Sequence, residues 1–197
     1  LELSNHEIIP DRIEAGSYIL ATMATKGKLQ IKNFLIEHLQ EPINLFKKMG
    51  LKVKKINTNE YLFSCSRIKP INLIETKEYP GFPTDLQAQL ISVFLKNGKK
   101  NKIKENIFEN RFIHVPELRR FGADIVLKNN TVTIDKVSEL NGAEVMATDL
   151  RGSFSLIIAA LLSKGETIIS RIYHLDRGYE DFDLKLKQCG VNINRKK

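Results

Sequence analysis

Ser155-Leu156-Ile157-Ile158-Ala159-Ala160-Leu161-Leu162 carries one hydroxyl and no charge in eight residues. A helix built on this stretch has no polar face, and a helix that is apolar nearly all round is buried nearly all round. It therefore belongs at the centre of a domain, with other elements wrapped around it. Its ends are signalled too. The Asp149 carboxylate can accept from the free N–H groups of a first helical turn, and Gly165 can take the left-handed conformation that stops one.

The same plan occurs twice more. Asp11 and Asp85 open two further apolar helices, Gly27 and Gly98 close them, and a basic, β-branched strand follows. Each unit then carries a second helix, ending at Gly50, Gly122 and Gly190, which lie 39, 37 and 41 residues beyond the three aspartates. A phase held over that length marks a structural repeat. Pro42 and Pro116 begin two of the second helices, where a missing N–H forfeits no hydrogen bond. Strands are predicted at 51–56, 123–127 and 191–194. In the first two units, turns at 57–59 and 128–130 lead into second strands at 60–65 and 131–134.

These patterns predict an α/β fold: an inside-out α/β barrel of three repeated units, about 10–70, 80–135 and 145–197, with helices central and sheets outside. Each sheet then buries one face, and Thr131-Val132-Thr133-Ile134 alternates as that requires. The third unit ends at Lys197 before a second strand, and Ile8-Ile9 reads as the end of a strand with nothing before it to pair with. Open sheet edges are usually covered, so the expectation is one domain of a longer protein, its N-terminal half absent.

With 42% hydrophobic and 27% charged residues, the chain is in the range of ordinary folded domains. No run approaches the ~18 apolar residues of a spanning helix, and the start lacks the basic and apolar regions of a leader. A soluble, cytoplasmic protein without a membrane partner is expected. The net charge of +8 invites an anion, either nucleic acid or a phosphorylated small molecule. The run Lys99-Lys100-Asn101-Lys102-Ile103-Lys104 has no exposed rings interleaved for bases to stack on, so it reads as a solvated turn and no nucleic-acid partner is predicted. Cys65 and Cys189 stand at no metal-ligand spacing and read as core or helix-end residues.

Among candidate site residues, Asp85 has the most distinctive setting, Pro80-Gly81-Phe82-Pro83-Thr84-Asp85-Leu86-Gln87-Ala88-Gln89. Two prolines stiffen the approach, and Thr84 can itself cap the helix. The Asp85 carboxylate is then free to point outward and accept a proton from a substrate hydroxyl. The alternative is that Asp85, like Asp11 and Asp149, is only a cap. Arg111, Arg151 and Arg177 all fall at junctions leading into helices, where a guanidinium fork and helix N–H groups can hold phosphate or carboxylate together. Singly each reads as a surface arginine; together they predict one anion site. His114 and His174 have no partner at metal-ligand spacing and read as packed or loop residues. No phosphate loop, dinucleotide fingerprint or nucleophile elbow is present, and no metal or cofactor is predicted.

Five stretches resemble one family. They are Asp11-Arg12-Ile13-Glu14-Ala15-Gly16, Phe82 to Gln89, Ile107-Phe108-Glu109-Asn110-Arg111-Phe112 with His114-Val115-Pro116-Glu117-Leu118, Val145-Met146-Ala147-Thr148-Asp149-Leu150-Arg151, and Asp176-Arg177-Gly178-Tyr179-Glu180. Together they are similar to the enolpyruvyl transferases acting on UDP-N-acetylglucosamine, across essentially the whole chain and about the second half of a family member. The last three distinguish it from the related shikimate-pathway synthase.

The resemblance implies two similar inside-out domains closing around UDP-N-acetylglucosamine and phosphoenolpyruvate, in the first committed step of peptidoglycan synthesis. It implies that Asp85 binds the attacking sugar hydroxyl and acts as its base, and that Ile107 touches the nucleotide sugar through its backbone. Arg111, Arg151 and Arg177 would hold phosphoenolpyruvate, and Asp149 would orient the arginine near it. The family's proton-donating cysteine or aspartate, a catalytic lysine and most uridine contacts lie in the other half. Phe154 stands where small residues are usual and is expected to crowd a helix contact. The implied roles are half of an enzyme or, alternatively, a non-catalytic relic or module that binds phosphorylated ligands.

Overall fold

The computed structural model describes residues 5–97 and 100–196. Gly98, expected to close the second central helix, lies outside them, as do Lys99, residues 1–4 and Lys197.

Three helices meet in the middle: α1 (Arg12–Ala24), α3 (Gln87–Phe94) and α5 (Leu150–Leu162), each packed on the other two. All eight residues of α3 are buried, as are Gly152 to Ala159 of α5. A fully buried Leu, Ile or Phe contributes roughly 1.5–3 kcal/mol, so these helices owe their placement to burial rather than to an amphipathic stripe. Phe154 does not crowd the centre. It is 0% exposed, stacked on Tyr179 at 4.5 Å and edge-on to Tyr18 at 5.3 Å. Some polar groups among the helices find one another, while Tyr18 Oη, both amide atoms of Gln87 and Gln89 Oε1 are buried without a partner among the described residues. Ser17 Oγ and Tyr179 Oη are 2.9 Å apart, Gln89 Nε2 donates to Ser17 Oγ at 2.9 Å, and Ser92 Oγ donates to the Ser155 carbonyl at 2.8 Å.

Among the described residues, three sheets lie outside. The first is antiparallel, with β3 (Glu60–Ser64) between β1 (Lys28–Ile31) and β2 (Lys52–Asn57). The second runs in the order β4, β5, β7, β6, comprising β4 (Leu73–Glu75), β5 (Asn101–Lys104), β6 (Asp124–Lys128) and β7 (Thr131–Asp135). Its β4–β5 pair is parallel, with α3 between the two in the chain. The third is the parallel pair β8 (Glu144–Met146) and β9 (Ile168–Ser170), spanned by α5. Short outer helices complete the domain: α2 (Gln40–Met49), α4 (Val115–Arg120), α6 (Tyr173–Asp176) and α7 (Phe182–Gln188). Thr131-Val132-Thr133-Ile134 buries Val132 and Ile134 and turns its threonines outward.

Several expectations need correction. Of the lysine run, Asn101–Lys104 is not a turn but the inner strand β5, with Asn101 and Ile103 buried and Lys102 outward. Alternation, which the run does contain, outweighs its charge. Ile8 and Ile9 belong to no strand and are 87% and 60% exposed. Residues 191–196 form no strand either. The sheets also begin earlier than the helix-opening aspartates suggest, because β4 at residues 73–75 pairs with β5.

Gly50, Gly122 and Gly190 do end helices with left-handed φ. At Gly50 a side chain is excluded twice over, by φ of 116° and by the Arg67 carbonyl where a Cβ would lie. At the end of α1, however, Lys26 and not Gly27 takes the positive φ.

Candidate active site

Asp85 sits in a single 3₁₀ turn, Thr84–Leu86, that feeds α3. Thr84 does not cap this turn; its hydroxyl donates to Glu105 Oε2 at 2.8 Å. The Asp85 carboxylate is likewise no cap. Its Oδ1 accepts from Arg111 Nη2 at 2.7 Å and lies 3.7 Å from Arg151 Nε. The carboxylate is 39% exposed, and both cations approach the same oxygen, which leaves Oδ2 for another donor.

The arginines come from different elements. Arg111 lies in the turn between β5 and α4, beside Asn110 with φ of 53°, and its guanidinium stands 5.4 Å from the Phe108 ring centroid. Arg151 is the second residue of α5, its guanidinium 5.8 Å from the centroid of Tyr179. Arg151 Nη1 is buried and takes no partner among the described residues. A guanidinium has five N–H donors, so the contacts with Asp85 leave donors of this pair unpaired.

Asp149 does not touch Arg151. Its carboxylate accepts from Gly152 N at 3.2 Å and Thr148 Oγ1 at 3.1 Å, and its carbonyl accepts from Ser153 Oγ, fixing the start of the helix that carries Arg151. A Cβ at Gly152 would collide with this carboxylate and lie 2.9 Å from His114 Cβ. His114 is fully buried, and burial pulls its imidazole down to about 4, with Asp149 opposing that shift and Arg111 adding to it. The Ile107 N–H is occupied by Glu105 Oε1 at 2.8 Å, so only its carbonyl is free for a ligand.

Arg177 stands apart from this cluster. It follows α6, is exposed, and makes no ion pair among the described residues. It lines an open groove of about 670 Å³ with Glu14, Asp176, Asp183 and Arg195, where Arg195 pairs with Asp176 at 2.7 Å and with Asp183 at 2.9 Å. The chain still links it to Arg151: Gly178 packs under Leu150, and Tyr179 lies beneath the Arg151 guanidinium. Neither Tyr179 nor Glu105 was picked out from the sequence as a site residue, because the side chains they bond, Ser17 to Tyr179 and Thr84 to Glu105, lie 162 and 21 residues away and leave no local signal.

Cys65 is buried, and burial pushes its thiol up; Cys189 is exposed at the end of α7. Among the described residues no group of three His, Cys, Asp or Glu could hold a metal ion, and no helix is long and apolar enough to cross a membrane.

The family model of EPSP synthase (3-phosphoshikimate 1-carboxyvinyltransferase) matches residues 1–186. UDP-N-acetylglucosamine 1-carboxyvinyltransferase of Pelagibacter ubique is 50% identical over 97% of this chain, and that of Thermodesulfovibrio yellowstonii 49% identical over 96%. The chain spans 46% and 45% of those two relatives, about half their length. The enolpyruvyl transferase NikO from Streptomyces tendae superimposes with a TM-score of 0.85 at 26% identity, covering 95% of this chain and 44% of NikO. EPSP synthase from Acinetobacter baumannii has the same mixed α/β fold, with a TM-score of 0.70 at 14% identity over 94% of this chain and 44% of its own.

Proposed function

Since the chain belongs to the EPSP synthase family of enolpyruvyl transferases, we propose that it supplies one domain of an enzyme moving the enolpyruvyl group of phosphoenolpyruvate onto UDP-N-acetylglucosamine, with release of phosphate, in peptidoglycan synthesis. The other domain is a partner half carrying the proton donor, and the enzyme works in the cytoplasm without nucleic acid. In this reading residues 10–70, 80–135 and 145–197 are the three repeats of an inside-out barrel.

The observation that carries the proposal is the Asp85 carboxylate, one oxygen held by Arg111 and Arg151 and the other free, in a chain half identical to the Pelagibacter ubique transferase. Oδ2 takes the proton of the sugar hydroxyl as its oxygen bonds to C2 of phosphoenolpyruvate, while an acid on the partner half protonates C3. Loss of a proton from C3 then re-forms the double bond as the C2–O bond to phosphate breaks. The guanidinium donors of Arg111 and Arg151 hold the carboxylate and phosphate of phosphoenolpyruvate and stabilise negative charge as it moves, and Arg177, tied to Arg151 through Gly178 and Tyr179, adds its own donors from the adjoining groove. Ile107 offers its carbonyl to the nucleotide sugar. Asp149 keeps Arg151 in place through the cap of α5.

The test is phosphate release from UDP-N-acetylglucosamine and phosphoenolpyruvate, measured on this chain alone and with the N-terminal half of a relative added. Release only in the mixture supports the proposal. Silence in both, with both pieces folded, favours a non-catalytic module.

A further inference from the structure

Glu105 directly follows β5 and is 2% exposed. A carboxylate taken out of water is costly unless donors surround it, and this one has four. Thr76 Oγ1 and Ile107 N donate to Oε1 at 2.8 Å each, Phe108 N donates to it at 3.2 Å, and Thr84 Oγ1 donates to Oε2 at 2.8 Å. The backbone of Glu105 is pinned as well: its N–H donates to the Asn130 carbonyl at 2.8 Å, and its carbonyl accepts from Asn130 Nδ2 at 2.9 Å. Thr76 Oγ1 in turn accepts from Asn106 N at 2.8 Å.

The two carboxylate oxygens serve different segments. Oε1 shapes the loop 106–108 that runs on to Arg111, and Oε2 holds Thr84, the residue before Asp85. Arg111 and Asp85 then meet at 2.7 Å. A closed ring of covalent and hydrogen bonds thus runs from Asp85 through Thr84, Glu105 and the loop to Arg111, and back to Asp85. We infer that Glu105 is a positioning residue, setting the distance between Asp85 and Arg111 and the placement of Ile107 while touching no substrate itself. Its consequence for turnover rests on the proposed function; the ring does not.

Three substitutions separate geometry from charge. Glu105→Gln keeps an oxygen for Thr76, Ile107 and Phe108, and its amide donates to Thr84, whose hydroxyl becomes the acceptor, so the ring survives with one bond reversed. Glu105→Ala removes every arm, and Thr84→Val cuts only the arm to Asp85. In the ¹⁵N-labelled chain, the guanidinium resonances of Arg111 report its clamp to Asp85. They are expected to collapse toward freely rotating arginine in Glu105→Ala and Thr84→Val, and to persist in Glu105→Gln.

Unmoved Arg111 resonances in a folded Glu105→Ala chain overturn the inference. If that variant does not fold, unmoved resonances in Thr84→Val overturn it instead. With the partner half supplied, Glu105→Ala is expected to lose on the order of 100-fold in turnover, the scale of an ångström misplacement, and Glu105→Gln to recover most of it. A Gln variant as poor as Ala rejects the positioning role. If the unaltered pair is itself inactive, the proposed function fails while the resonances still decide the ring.

Discussion

Asp85 and Arg111 are 26 residues apart in the chain and 2.7 Å apart in the fold. The amide of Asp85→Asn retains an oxygen to accept from Arg111 but loses the carboxylate that takes up a proton. In the assembled enzyme this change is expected to lower turnover by about 10²–10⁴, the usual worth of a general base, with little change in affinity for UDP-N-acetylglucosamine. Unchanged turnover removes Asp85 from the base role. Arg177 offers a cleaner separation of binding from folding. Because it is exposed and unpaired among the described residues, Arg177→Ala is expected to leave stability within about 0.5 kcal/mol. It should raise the KM for phosphoenolpyruvate well above any change for the sugar nucleotide. Equal rises for both substrates in steady-state kinetics count against the anion role.

At the scale of elements, α5 brings a cap, an arginine and an aromatic into one turn and a half. Asp149→Ala is expected to cost about 0.5–2 kcal/mol in urea unfolding, the range for a lost N-cap. It should also weaken phosphoenolpyruvate binding, because the helix start that presents Arg151 frays. An unfolding loss with no change in binding separates the cap from the site. Phe154→Ala is expected to be worse, at roughly 3–5 kcal/mol, since the side chain is fully buried between Tyr18 and Tyr179. A loss under about 1 kcal/mol indicates a centre able to close over the gap. Of these features, the cap was legible from Asp149 and its spacing to Gly165. The role of Phe154 was not, because crowding and stacking differ only in where Tyr18 and Tyr179 stand, and neither is a neighbour in sequence.

For the molecule as a whole, His114 predicts a pH dependence. Its imidazole is held near 4 by burial, whereas an unfolded histidine titrates near 6.5. Between those values the unfolded chain binds the extra proton and the folded chain does not. Stability is therefore full above about 6.5 and falls as the pH drops toward 4, by at most ~1.4 kcal/mol per pH unit from this residue. Denaturation midpoints at pH 7 and pH 5 measure the fall, and His114→Gln is expected to flatten it. An unaltered slope in that variant assigns the dependence to other groups.

The sequence by itself determined the three buried helices, the left-handed ends at Gly50, Gly122 and Gly190, and both hairpins, because propensity, capping and alternation act over a few residues. It also marked Asp85 and the three arginines as residues to watch. Only the tertiary structure decided that Arg111 and Arg151 share one oxygen of Asp85 while Arg177 lines a different groove. The same holds for Asp149 acting through a cap rather than an ion pair, and for buried Glu105 closing a ring around the site. Each of these turns on distances between segments that the chain brings together only by burying its apolar surface, and no local pattern encodes such a distance.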